Sequence, residues 1–486
     1  MNIPAINLTD FYKTDHRRQY PIGTELVYSN LTARASRLEG VNHIVVFGIQ
    51  YLLQEYLIDH FNQTFFFGEK DVVVAQYKRR LDAALGKNTI SMEHIAALHD
   101  LQYLPVKIKA LPEGTLCPIG IPFLTIVNTD PRFYWVTNFL ETLICNVLWH
   151  PITSATIAFE YRKLLTHYAA ATSDIPDFVK WQGHDFSMRG QSSVESSCVS
   201  GGAHLLSFYG TDTIPAIDWL EQYYHANSDV ELIGGSVPAT EHSVMCLGSK
   251  ESELETYRRL LTDVYPKGIV SIVSDTWDYW KVLDETLPAL KDIIMARDGK
   301  LVVRPDSGDP VKIICGNTDA SAHTAAYFGT MELLWDHFGG TINSKGYRQL
   351  DPHISVIYGD SITLARCAEI SKLLMTQGFA STNMVYGIGS YTYQYVTRDT
   401  FSFAMKATAG VVNGQLIEIF KDPVTDNGIK KSAKGLLCVN HDLTLTQQCT
   451  FQQETDGMLL TVFEDGMIAN PDSLQMIRQR LESRLL

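Results

Sequence analysis

Four times between residues 269 and 390 a short apolar run breaks on a polar turn and a helical pattern follows, a rhythm that constrains the fold more than any other feature of the chain. Ile269-Val270-Ser271-Ile272-Val273 runs into Ser274-Asp275-Thr276-Trp277-Asp278, and Leu301-Val302-Val303 into Arg304-Pro305-Asp306-Ser307-Gly308. Ile354-Ser355-Val356-Ile357 runs into Tyr358-Gly359-Asp360-Ser361, and Met384-Val385-Tyr386 into Gly387-Ile388-Gly389-Ser390. Continuously apolar strands joined through helices are parallel strands with crossovers. Two less regular units precede them: a polar turn from Gly183 to Gly190 before the small-residue helix 192–206, and Phe208 to Thr213 before the helix 215–224. With Gly235-Ser236-Val237-Pro238, about seven strand ends lie between Gly183 and Ser390, which predicts a complete or slightly irregular β/α barrel.

The flanks read differently. The first third mixes strands over 25–33, 105–111 and 121–127 with helices over 44–58, 71–85 and 134–149, the last expected to stop before Pro151. Beyond Arg398-Asp399 the helical patterns stop, and strands are expected over 401–407, 414–420, 436–439 and 458–463, rejoining the sheet of the first third. The expected fold class is α/β, an irregular β/α barrel inserted in a mixed α+β sheet domain. Residues 1–150 plus 400–486 form the sheet domain and 151–399 the barrel.

Composition excludes several functions. A net charge of -14 over 486 residues argues against nucleic acid as a partner. The eight cysteines are spread without a Cys-x-x-Cys pair and read as reduced thiols of a cytoplasmic protein. Met1-Asn2-Ile3-Pro4 is no signal peptide, and no apolar run approaching the roughly 18 residues of a membrane span is expected. There is no P-loop, and Gly387-Ile388-Gly389 continues as Ser390-Tyr391-Thr392, which is not a dinucleotide fingerprint.

Ligands bind at the carboxyl ends of barrel strands. Those ends gather Asp212, Asp278, Asp306 and Asp360 with Arg189 and Arg304. Carboxylates take ribose hydroxyls or metal-bound water, and guanidinium forks hold phosphate. A carbohydrate or metal-hydrolase barrel carries the same set, and the Arg304–Gly308 stretch reads equally as a turn with a capping Asp. His242 opens a helix beside Glu241, where an imidazole serves the fold or serves proton transfer or attack on phosphate. Glu241-His242 is not part of a His-Glu-x-x-His helix, so zinc is not expected. The aromatic pair of Asp10-Phe11-Tyr12-Lys13 reads as a packing anchor. Arg398, Lys406, Lys421, Lys430, Lys431 and Lys434 form a basic zone, either a solvated face or a phosphate clamp.

Separated motifs in one order make the chain resemble the nicotinamide phosphoribosyltransferases over nearly its whole length. They include Thr9-Asp10-Phe11-Tyr12-Lys13, His184-Asp185-Phe186 with Arg189-Gly190, Gly210-Thr211-Asp212-Thr213, Ser236-Val237-Pro238-Ala239 with Glu241-His242-Ser243, Val273-Ser274-Asp275, Arg304-Pro305-Asp306-Ser307-Gly308, Thr397-Arg398-Asp399 and Phe420-Lys421-Asp422-Pro423-Val424. The resemblance implies a homodimer with active sites at the interface. It implies nicotinamide and 5-phosphoribosyl 1-pyrophosphate as substrates, ATP as co-substrate, and magnesium held mainly by substrate phosphates and water.

The resemblance also implies roles. Phe186 would stack on one face of the nicotinamide ring and Tyr12, lent by the partner subunit, on the other. Asp212 would accept from the carboxamide and select against nicotinic acid. Arg304 would hold substrate, Asp306 the ribose hydroxyls, and Gly359, Asp360, Gly389 and Ser390 the phosphoribosyl group. Arg398, Lys406, Lys430 and Ser432 would grip phosphates from the partner, and ATP would phosphorylate His242. Arg189, Ser236 and Ser274 complete the expected substrate-binding set, with His242, Asp306 and Asp278 as the catalytic one. The chain departs from the family pattern at Ser187-Met188, where Gly-Tyr is common, and at Ser390-Tyr391 and Ser361, where glycines are usual. One residue is inserted before Lys430-Lys431-Ser432. The rival readings are a nicotinate phosphoribosyltransferase, a non-catalytic binding protein on the same scaffold, and a sugar-phosphate or metal-dependent barrel enzyme.

Overall fold

In the computed structural model, which describes residues 3–420 and 433–485, the chain divides into two compact units. One comprises Met1–Thr156, Leu220–Ala226 and Val396–Arg484, the other Ile157–Trp219, Asn227–Tyr395 and Leu485–Leu486.

The first unit is built on a seven-stranded sheet in the order Gln415–Glu418, Phe403–Val412, Thr24–Ala33, Pro122–Asn128, Val106–Ala110, Leu460–Glu464, Met467–Ile468. Every pairing in it is antiparallel. The strand-rich tail therefore supplies both flanks of a sheet whose centre comes from the first third. Val106, Ile108 and Ala110 face the core while Lys107 and Lys109 alternate outward, the period-2 pattern of a half-buried strand.

Three expectations for this part of the chain are corrected. Pro151 does not end a helix: Glu141–Thr172 runs straight through it. The pyrrolidine ring sits against Gly48, where a Cβ would collide with it, and the Thr153 hydroxyl donates to the Trp149 carbonyl at 2.6 Å beside the proline. The packing against Gly48 and the neighbouring hydroxyl bond offset the hydrogen bond that the proline lacks. The resulting 32-residue helix is long and apolar enough to cross a membrane, but its apolar window is 83% buried inside the protein, as in a core helix. The tail also contains helices, Phe451–Thr455 and Leu474–Glu482, the second burying Leu474, Ile477 and Leu481 along one face. Finally, residues 43–45 pair as a strand with Leu116–Pro118 before the helix begins at Ile49, because the apolar run there is too continuous to distinguish strand from helix by period.

The second unit is a parallel sheet. Its strands are β1 (Gly183–Asp185), β2 (Gly210–Thr211), β3 (Lys267–Val273), β4 (Asp298–Arg304), β5 (Ile354–Tyr358) and β6 (Met384–Ile388), and the sheet order is β2-β1-β6-β5-β4-β3. The two ends of that row meet through the segment 235–239, which makes parallel bridges from Gly235 to Gly210 and from Ala239 to Ser271. The Thr211 amide donates to the Gly235 carbonyl at 3.0 Å and the Ser271 amide to the Pro238 carbonyl at 2.9 Å. Six strands and this irregular stave close a barrel in sequence order, as the strand-end rhythm predicted. Val270, Ile272, Leu301, Val303 and Val356 are buried to 1% exposure or less, which explains why these strands read as continuous apolar runs.

Candidate active site

Register decides which residues meet at the barrel's carboxyl end. Val273 is opposite Arg304 in the β3–β4 pair, and Val303 opposite Val356 in the β4–β5 pair. Two residues beyond each of those β3 and β4 ends stand Asp275 and Asp306, in one layer. His242 Nε2 lies 3.1 Å from Asp275 Oδ1, and ligand atoms of His242, Asp275 and Asp306 all lie within 4.8 Å of one another. The same layer holds Gly359, where a Cβ would collide with Asp306 Oδ1. Tyr358 ties the layer down by donating to the Ser307 and Gly308 carbonyls at 2.9 and 3.0 Å.

Asp306 is an unusual carboxylate. Burial pushes its pKa up, the nearby Asp275 and Asp360 add to the rise, and Arg304 and His242 oppose it. Arg304 Nε approaches Asp306 Oδ2 at 3.4 Å, while Asp306 Oδ1 is buried without a hydrogen-bond partner. Arg304 is itself anchored by donating from Nη2 to the Thr240 carbonyl at 2.6 Å. An unpaired buried carboxylate oxygen beside a second carboxylate calls for a cation or a hydroxyl donor.

Below this layer a cavity of about 360 Å³ runs down the barrel, lined on alternate positions by Ile269 and Ser271 of β3 and by Lys300, Val302 and Arg304 of β4. At its upper end Phe186 lies beside His184, ring centres 4.5 Å apart and tilted 41°. His184 Nε2 meets Asp212 Oδ1 at 2.8 Å, and the Ser236 hydroxyl donates to the same oxygen at 2.7 Å. Burial alone would raise the pKa of Asp212, but these hydrogen bonds and the charge of Arg304 bring it below the ordinary value. The carboxylate stays ionised and can only accept. A flat ring beside an ionised acceptor, inside an apolar shaft, is a site for an aromatic ligand carrying an N–H donor.

Another side of the mouth carries two turns. Asp360 is exposed and accepts from the Ser361 hydroxyl at 2.6 Å. Ser361 has φ +58°, a left-handed conformation that glycine adopts without strain. Gly389 precedes the short helix Ser390–Tyr393, and the space where its Cβ would stand is open. Arg189 is exposed in the turn Met188–Gly190, whose Gly190 is pressed against Ser390.

Two expected site residues have other work. Asp278 is exposed and caps a helix, accepting from the Lys281 amide at 3.1 Å; Asp275 occupies the place foreseen for it. The strand ends three residues too early for Asp278 to reach the layer of Asp306. Ser274 is fully buried, donating to the Ile272 carbonyl at 2.8 Å and accepting from the Tyr257 hydroxyl at 2.9 Å, so it fastens the turn from beneath. His184 and Asp275 lie in motifs that carry the resemblance, which implies no role for either. Counting two residues past each strand end would have found Asp275.

Tyr12, Arg398 and Lys406 belong to the first unit. All three are exposed, Tyr12 at 61%, so Tyr12 is no packing anchor within its own chain. Arg398 pairs with Asp399 at 3.1 Å. Lys421, Lys430, Lys431 and Ser432 lie outside the described residues.

Known proteins resemble this chain over almost its whole length. The model of the nicotinate phosphoribosyltransferase family matches residues 181–467, and that of the nicotinamide phosphoribosyltransferase N-terminal domain matches residues 5–107. The nicotinamide phosphoribosyltransferase of Acinetobacter baylyi is 54% identical, covering 99% of this chain and 98% of its own. That of Xanthomonas campestris pv. campestris is 33% identical, covering 98% of each. Among solved structures, the nicotinate-nucleotide pyrophosphorylase of Pyrococcus furiosus shares the fold at a TM-score of 0.59 and 13% identity, over 99% of this chain and 95% of its own. Human nicotinic acid phosphoribosyltransferase does so at 0.53 and 14%, over 98% and 93%.

Proposed function

Because this chain belongs to the nicotinamide phosphoribosyltransferases, within the nicotinate phosphoribosyltransferase family, pentosyltransferases of NAD salvage, we propose the following working of its site. The pyridine nitrogen of nicotinamide attacks C1 of 5-phosphoribosyl 1-pyrophosphate, the C1–O bond to pyrophosphate breaks, and nicotinamide mononucleotide forms. The observation that carries this reading is Asp212, ionised and doubly held by His184 and Ser236 beside Phe186. It would accept from the carboxamide N–H and repel the carboxylate of nicotinic acid.

Asp306 and Asp360 face the ribose in this reading, stabilising the positive charge that develops at C1. Arg304 and Arg189 hold phosphate oxygens. Asp275 and Asp306, with the unpartnered Oδ1 of the latter, would hold a magnesium ion, which when bound would supply positive charge to the leaving group. His242, oriented by Asp275, is the residue that ATP would phosphorylate. Tyr12, Arg398, Lys406, Lys430 and Ser432 would come from the second subunit of a homodimer, Tyr12 closing the free face of the ring. All eight cysteines are free thiols, which suits the cytoplasm.

The test is a product assay by mass spectrometry with magnesium and 5-phosphoribosyl 1-pyrophosphate, offering nicotinamide and nicotinic acid in parallel, with and without ATP. Nicotinamide mononucleotide should dominate and rise with ATP. In the Asp212→Asn variant the preference for the amide should fall by about tenfold or more. A wild type that prefers nicotinic acid would overturn the assignment.

A further inference from the structure

His204 closes the helix Val194–His204 and is completely buried, yet nothing in the reaction outlined above uses it. Its Nε2 lies 3.0 Å from the Gly210 carbonyl and its Nδ1 2.7 Å from the Tyr393 hydroxyl. A carbonyl only accepts, so Nε2 carries the proton, and Nδ1 accepts from Tyr393. The ring is stacked on Phe208, centres 5.1 Å apart at 25°, which fixes its orientation. The ionisable groups around it are Asp185 and His184 on β1 and Tyr393 itself. Asp185 is occupied by the Thr213 hydroxyl at 2.7 Å and the Ser187 amide at 2.9 Å. Burial holds His204 down to about 4, so the neutral tautomer persists at working pH.

The two partners belong to different halves of the site. Gly210 lies in β2, two residues before Asp212. Tyr393 lies in the short helix that begins at Ser390. The same helix is held from the other side, where the Thr392 hydroxyl donates to the Ile362 carbonyl at 3.2 Å, two residues past Asp360, and the Tyr161 hydroxyl reaches that carbonyl at 3.3 Å. Consecutive residues thus tie one helix to the ribose turn and, through one imidazole, to the strand that presents the base.

We propose that His204 is a positioning residue: through Tyr393 it sets the Gly389–Ser390 turn relative to the Gly210–Asp212 strand, and so fixes the distance between the pyridine nitrogen and C1. The proposal rests on the roles given above to Asp212 and to Gly389–Ser390. The link joins groups given to different substrates and the reaction needs both substrates aligned, so loss of the link costs alignment more than binding.

Tyr393→Phe removes the donor without changing the ring, and His204→Leu removes both bonds. Each is to be assayed beside wild type for kcat per titrated active site, KM for both substrates, and nicotinamide affinity measured without the second substrate. The expected result for Tyr393→Phe is a kcat lowered tenfold or more, on the scale of an alignment defect, with nicotinamide affinity within about twofold of wild type. The double variant should be no worse than His204→Leu, since the bond that Tyr393→Phe removes is already absent there. His204→Asn, which retains an acceptor for Tyr393, should recover part of kcat. Losses that add independently, or that fall in nicotinamide affinity with kcat unchanged, would overturn the proposal while leaving the functional reading intact. A wild type that forms no nicotinamide mononucleotide would overturn both.

Discussion

Two aspartates three positions apart, Asp275 and Asp278, show how much a residue's role depends on where its strand stops. Asp275 has a nearly buried side chain, 6% exposed, against His242, and Asp278 caps a helix in solvent. Asp275→Asn should lower kcat by about a hundredfold, the cost typical of removing one preorganised charge or donor. Asp278→Ala should leave kcat unchanged and cost about 1 kcal/mol of stability through the lost cap. Steady-state kinetics and thermal unfolding of the two variants separate the roles, and equal kcat losses would refute the distinction. Both residues were visible in the sequence after one apolar run. Which of them meets His242 depends on β3 ending at Val273, a boundary that alternation of residue types does not mark.

At the scale of elements, the first unit hides a buried carboxylate that pins several segments together. Glu113 accepts from the Gly48 and Gln50 amides at 2.8 and 2.7 Å and from the Tyr224 hydroxyl at 3.0 Å. Its own amide donates to Asp472 at 2.9 Å, and Asp472 is paired with Arg480 at 2.6 Å. Burial pushes the Glu113 carboxyl up to about 7, with Asp472 adding to the rise against the two amides and Tyr224. A raised folded pKa means stability that is complete below the ordinary 4.5 and is lost as pH climbs through about 7. The span corresponds to about 3 kcal/mol. Melting temperature should therefore fall between pH 5 and 8 in wild type, and the slope should flatten in Glu113→Gln even though that variant starts lower, because its amide sets a donor against donors. An unchanged slope would mean that Glu113 does not titrate there.

At the scale of the molecule, the proposed site takes Tyr12 and Arg398 from a second chain, and subunit mixing tests this directly. Tyr12→Ala and Asp306→Ala should each be nearly inactive. Dissociated and reassociated together in equal amounts, they should regain about a quarter of wild-type activity, since half the dimers are mixed and each has one intact site. No recovery in a verified mixed dimer would place the whole site within one chain. The fold was legible because its causes are local. Short apolar runs that break on polar turns before helical patterns read as buried parallel strands, alternating runs in the tail read as half-exposed strands, and polar turns at the strand ends mark the functional face. Pro151 was misread because the same local rules say nothing of the packing against Gly48 that carries the helix past it. The chemistry was legible as a set of residue types, Asp, Arg, His and Phe at strand ends, and as a family resemblance. Only the tertiary structure decided which carboxylate meets His242, that His184 and Ser236 share one oxygen of Asp212, and that His204 joins strand β2 to the helix Ser390–Tyr393. Those relations depend on strand register and barrel closure, which join residues far apart in the chain through contacts that no local pattern encodes.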